Sequence, residues 1–157
     1  MINQIVRINY IQNIFESNPT IFELEKYPTV LEIKREGKSK IKSILPLIDH
    51  PIYGETILYI SEKLNDEGEI SEYHYGWELS QGKKRLGKKL RHIMAFGNED
   101  HKKGTNAWVE TNPFHHHHIP EEPRKRKSTS VQDLDSVIMI LRDFIQGKLK
   151  YNSEMNF

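Results

Sequence analysis

Four apolar, β-prone segments, residues 29–35, 39–45, 56–63 and 70–79, follow one another with only turn signals between them. That succession constrains the fold more than any other feature. Gly37 separates the first two, Pro51 to Gly54 precedes the third, and Asn65-Asp66-Glu67-Gly68 joins the third to the fourth, and such residues close tight connections. The pattern predicts an antiparallel meander. A fifth, shorter strand is expected over 91–96, after a connection at 82–89, and a loop containing Gly and Asn then runs to Pro113.

Helices are expected at both ends. Ile2, Ile5, Ile8, Ile11, Ile14 and Phe15 recur mostly three apart, which predicts an amphipathic helix ending before Asn18-Pro19, where proline discourages continuation. Near the other end Val131, Leu134, Val137, Ile138, Leu141, Phe144 and Ile145 share one helical face, with Ser130 and Asp133 resembling an N-terminal cap and Gly147 a stop. The fold class is therefore α+β: an antiparallel β-meander with an N-terminal helix and a C-terminal amphipathic helix packed on it. The expected organisation is one domain over 1–148 and a flexible tail over 149–157. A chain of 157 residues is long enough for one ordinary core, and no internal repeat is visible.

Cysteine is absent, which excludes disulfides, thiolate metal sites and cysteine nucleophiles. The first ten residues lack the pattern of a secretory signal, and no stretch approaches the roughly 20 apolar residues of a membrane span, so the expectation is a cytoplasmic protein without a membrane partner. Charge is nearly balanced, 23 Lys plus Arg against 22 Asp plus Glu, but unevenly spread. Lys83, Lys84, Arg85, Lys88, Lys89 and Arg91 form one run without an acid, and Arg124 to Lys127 a second. Such runs are either solvated loops or sites where an anion offsets their repulsion.

The chemistry-bearing residues are mostly histidines. In an extended segment 71–79, Tyr73, Tyr75, Trp77 and Leu79 face one way and Glu72, His74, Gly76 and Glu78 the other; that polar side is either solvated or the lining of a cleft. Phe114-His115-His116-His117-His118-Ile119-Pro120 is the most unusual string. If extended, it sets His116 and His118 on one side and His115 and His117 on the other. Imidazoles titrate near neutral pH, so one can take a proton from a ribose hydroxyl while another donates to the leaving oxygen. The same residues could hold a divalent metal, or some could be structural. Asn98-Glu99-Asp100-His101 adds a polar turn, an ordinary composition by itself.

Taken together, Tyr73-His74-Tyr75-Gly76-Trp77-Glu78-Leu79, Phe96-Gly97-Asn98-Glu99-Asp100-His101 and Pro113-Phe114 with the four histidines, followed by a closing helix, resemble the TumE family of toxins from prokaryotic toxin–antitoxin pairs. The resemblance spans roughly residues 55–146. It matches Asn98 to the family asparagine, His101 to the histidine after its turn, and His115, His116 and His118 to a His-His-x-His string. Ala95, Phe96 and Gly97 depart from the family's Arg-Tyr-Asp, removing a carboxylate unless Glu99 or Asp100 substitutes. The resemblance implies a growth-inhibiting protein with a cognate antitoxin, commonly one carrying a DNA-binding domain. It does not define a reaction. The expectation drawn from the residues and the resemblance together is a ribonuclease acting on RNA without a required cofactor, with His115, His116, His118 and, through the resemblance, His101 catalytic. Lys83, Lys84, Arg85, Lys88, Lys89, Asn98 and His74 would be substrate-binding. The alternatives are a nonenzymatic binding module and a metal-dependent nuclease at the histidine cluster.

Overall fold

A computed structural model describes residues 2–25, 31–80, 92–98, 116–119, 122–128 and 131–151. Helix α1 (Ile2–Ser17) is followed by strands β1 (Glu32–Glu36), β2 (Lys40–Pro46), β3 (Thr56–Leu64), β4 (Ile70–Leu79), β5 (His92–Gly97), β6 (His116–Ile119) and β7 (Glu122–Ser128), and the order closes with helix α2 (Leu134–Gln146). The seven strands form one sheet in sequence order, each antiparallel to the next. The expected α+β meander is thus present, with two strands more than the five expected. The turn chemistry is as the residues dictate: Gly37 and Gly68 adopt positive φ, and Asn65 Oδ1 accepts from the Glu67 and Glu69 amides at 2.9 Å each.

Both helices pack on the same face of the sheet. Ile41, Leu45, Leu58, Ile60, Tyr75, Trp77, Met94 and Phe96 join Ile11 and Phe15 of α1 and Leu134, Val137, Leu141 and Phe144 of α2 in one core. Trp77, 1% exposed, is its centre, ringed by Tyr53 at 5.2 Å, Phe144 at 5.3 Å and His50 at 5.6 Å between ring centroids. His50 is a structural histidine. Its Nδ1 accepts from the Ile52 amide at 3.0 Å, which leaves Nε2 to donate to the Leu149 carbonyl at 2.8 Å.

One carboxylate enters this apolar layer, and α1 supplies its counter-charge. Glu62, 1% exposed, accepts from Arg7 Nε and a terminal guanidinium nitrogen at 2.7 Å each and from the Tyr75 hydroxyl at 2.6 Å. Burial alone would lower the Arg7 pKa, but the hydrogen bonds and charge of Glu62 outweigh it and hold the guanidinium above its ordinary value. The Tyr75 hydroxyl is pushed up by burial first and by Glu62 second.

Three local expectations change. The buried stripe of α1 is Gln4, Ile11 and Phe15 with Ile8 half-buried, whereas Ile5 is 51% exposed. The cap of α2 is Asp133, which accepts from the Ser136 amide at 2.7 Å, while Ser130 lies outside the described residues. At the other end Gly147 is the C-cap as expected, and the left-handed residue is Lys148, φ 56°. Leu149 N donates to Phe144 O at 3.1 Å, which completes a Schellman-type closure. Residues 149–151, expected to open a loose tail, make defined contacts: Tyr151 is buried and its amide donates to the Tyr53 hydroxyl at 3.0 Å.

Candidate active site on the histidine face

The opposite face of the sheet is organised by register. Residues directly opposite one another in an antiparallel pair share a face, so the pairings define rows across the strands. One row runs Lys34, Lys42, Ser61, His74, Gly97, His116, Ser128, and the next runs Glu32, Ile44, Tyr59, Gly76, Ala95, His118, Arg126. His116 and His118 therefore occupy the same face as His74, as alternation along an extended segment predicts. His117 falls in the row of Phe96 and Tyr75, on the helix face.

Between the histidine positions the strands carry small, buried residues, Ala95 being 0% exposed. Gly97 separates His74 from His116, and Ala95 separates Gly76 from His118. Two inter-strand spacings, about 10 Å, lie between the backbones of His74 and His116. Neighbouring groups approach both glycines closely. A methyl group at Gly76 would lie 2.7 Å from Glu78 Oε2 and 3.3 Å from His74 Nε2, and one at Gly97 would meet the Tyr73 carbonyl at 3.0 Å. The Glu78 carboxylate and the His74 imidazole thus converge over Gly76, within about 6 Å of each other by the sum of those two approaches.

Glu78 is 2% exposed, so the side carrying it is not simply solvated. It was not among the expected site residues. Its signal in the sequence is the i, i+2, i+4 alternation of His74, Gly76 and Glu78, with a small residue between two titratable ones. Gly97, where the family resemblance leads one to expect aspartate, stands directly opposite His74. A carboxylate does reach this part of the face, but it comes from β4.

Asn98 has a structural duty. Its Oδ1 accepts from the Tyr73 amide at 2.8 Å, its Nδ2 donates to the Ser71 carbonyl at 3.1 Å, and its own amide donates to Tyr73 O at 3.3 Å. The side chain clamps the end of β5 to β4, one residue beyond Gly97. Beside the site, Tyr59 meets the His74 ring edge-on at 5.9 Å, and Lys42 Nζ lies over the Tyr59 ring, 5.9 Å from its centroid. The second basic run lies on β7, with Arg126 opposite His118 and Ser128 opposite His116. His101, His115, Lys83, Lys84, Arg85, Lys88 and Lys89 lie outside the described residues.

Fold and site define a helix-backed antiparallel sheet of the α+β class, whose second face has His74 and the Glu78 carboxylate over Gly76 and the register positions of His116 and His118 beside them. The chain belongs to the TumE toxin family: the family model, described as Toxin TumE, matches residues 12–149. It is accordingly a toxin-like protein of a toxin–antitoxin system, and a cognate antitoxin is its implied partner. The match begins within α1, so Gln4 and Arg7 precede it. No curated protein and no solved structure matches the chain. Among the described residues, no helix is long and apolar enough to cross a membrane.

Proposed function

We propose that this toxin is a ribonuclease, and that the cleavage site is the floor of Gly76, Ala95 and Gly97 between His74 and the β6 histidines. The observation that supports this most is the register that sets His74, Gly97 and His116 in one row. In this reading an imidazole removes the 2′-hydroxyl proton of a ribose and the 2′-oxygen attacks the adjacent phosphorus. A second imidazolium then protonates the departing 5′-oxygen, leaving a 2′,3′-cyclic phosphate. His74, with Glu78 beside it, suits one role. His116 or His118 suits the other, and His115 and His101 remain candidates for acid, base or helper. Lys83, Lys84, Arg85, Lys88 and Lys89 would hold phosphates and offset the charge that builds in the transition state. The antitoxin, carrying a DNA-binding domain in this reading, would cover the histidine face.

The test is cleavage of total cellular RNA by the purified protein, with and without a chelator, against a folded variant carrying His74→Ala, His116→Ala and His118→Ala. The expected result is cleavage by the wild type, undiminished by chelator, with cyclic-phosphate ends, and none by the variant. Loss on chelation with recovery on adding metal would move the chemistry to a histidine-bound divalent ion. Equal cleavage by the variant, or none by the wild type, would remove the ribonuclease reading and leave a nonenzymatic binding module.

A further inference from the structure

We infer that the histidine face carries a track for single-stranded RNA leading into the site, with a base stacked on Tyr59 and the adjoining phosphate held by Lys42. The inference deepens the ribonuclease reading and rests on it for the direction of the track. Two rows of the same face differ in charge. Glu36, Lys40, Lys63 and Glu72 form a balanced row, each lysine directly opposite a glutamate on one side. Lysines stand directly opposite each other in both rows, Lys40 and Lys63 in the first and Lys34 and Lys42 in the next, but the next row, Lys34, Lys42, Ser61 and His74, contains no acid. Like charges so placed cost stability. Lys34 has an exposed ion pair with Glu32 at 2.9 Å; Lys42, whose charge also helps to lower the Glu32 pKa, has its Nζ 5.9 Å from the Tyr59 ring centroid.

Cation, aromatic ring and imidazole thus follow one another in steps of 5.9 Å, and Lys42, Tyr59, Ser61 and His74 are all half-buried on the face. Single-stranded nucleic acids are bound by this combination: an aromatic platform takes the π-face of any base while cations track the backbone. A duplex, whose bases are stacked on one another, cannot use the ring. Tyr59 also lies in the row of Gly76, Ala95 and His118, so a nucleotide seated on it adjoins the small-residue floor where cleavage is proposed.

The test is binding of a fluorescein-labelled 2′-O-methyl oligouridylate, which lacks the nucleophilic hydroxyl and so separates binding from cleavage. Tyr59→Ala should weaken binding about tenfold or more, and Tyr59→Phe should keep it, since stacking needs the ring and not the hydroxyl. Lys42→Glu should weaken binding and flatten its dependence on salt concentration by about one ion. The same oligomer annealed to its complement should bind more weakly, with no difference between wild type and Tyr59→Ala. Unchanged binding by Tyr59→Ala, or equal loss for single strand and duplex, would overturn the track while leaving cleavage unaffected. Tyr59-dependent binding by a wild type that cleaves no RNA would remove the ribonuclease and leave the track.

Discussion

The two faces of this sheet are built on opposite rules. On the helix face large side chains alternate without interruption, Leu58 and Ile60 on β3, Tyr75 and Trp77 on β4, Met94 and Phe96 on β5, and all are buried. On the histidine face the same strands carry Tyr59, His74, Gly76, Glu78, Ala95 and Gly97. There small residues make room and titratable ones use it. The first face gives its stability to apolar area removed from water, and the second spends backbone entropy on glycines in strand interiors. Gly76 and Gly97, two pairings apart in strand interiors, let the Glu78 and His74 side chains and the Tyr73 carbonyl approach the backbone closely.

The comparison can be broken most forcefully where the helix face departs from its own rule. Glu62→Ala would strip Arg7 of its counter-charge and the Tyr75 hydroxyl of its acceptor. Breaking a buried pair in this way costs about 3–5 kcal/mol, towards the lower figure here because the Arg7 side chain is 20% exposed. The urea midpoint measures it. A loss under about 1 kcal/mol would mean that α1 rests on its apolar contacts alone.

Alkaline pH attacks the same face more evenly. Burial raises the hydroxyl pKa of Tyr73, of Tyr75 and of Tyr151, the last to about 12. In the unfolded chain tyrosine ionises near 10. Below that pH neither state is ionised and stability is unaffected. Above it only the unfolded state releases the proton, so stability falls as pH rises from about 10 towards 12. Melting temperatures across that interval, read with tyrosinate absorbance, should fall together with the appearance of tyrosinate. Full tyrosinate absorbance in a still folded protein would show these hydroxyls to be accessible.

On the histidine face the informative change is Gly76→Ala. The added methyl meets the far end of the Glu78 side chain and the His74 ring, both able to swing aside, and alanine recovers some backbone entropy. Stability should therefore change by less than about 1 kcal/mol, whereas RNA cleavage should fall at least tenfold as the pair over Gly76 is displaced. Unimpaired cleavage would take His74 and Glu78 out of the machinery.

This contrast also explains what the sequence disclosed. Alternation over residues 70–79 predicted β4 and its buried aromatic side, and turn residues predicted the meander, because both are local. The β7 segment, Glu122–Ser128, has no apolar alternation, and its strand character comes from pairing with β6, so it read only as a basic run. That His116 and His118 share a face was legible from the string itself. Their alignment with His74 depends on two successive registers, which no local pattern encodes. Glu78 was visible as a residue on the right side of β4, but its convergence on His74 required the geometry at Gly76.

The smallest expected effect lies in α1, where the spacing of the isoleucines misled. A step of three residues advances about 300°, so a strict threefold string drifts about 60° per step around the helix and leaves the core. The residues that stay on the sheet are Gln4, Ile8, Ile11 and Phe15, with steps of four, three and four. Gln4 takes a place that an apolar residue would be expected to hold, because its Nε2 donates to the Lys40 carbonyl at 3.0 Å and more weakly to that of Gly37 at 3.4 Å. Ile5 and Val6 point away, 51% and 61% exposed. Ile5→Gln should consequently shift stability by no more than about 0.5 kcal/mol, against about 2–5 kcal/mol for Ile11→Ala in the core. Denaturation midpoints of the two variants, measured at two protein concentrations, decide it. If Ile5→Gln proved as costly as Ile11→Ala, and more so at the higher concentration, Ile5 would be covered by a second copy of the chain, and α1 would have an apolar contact on its outer side as well as on the sheet.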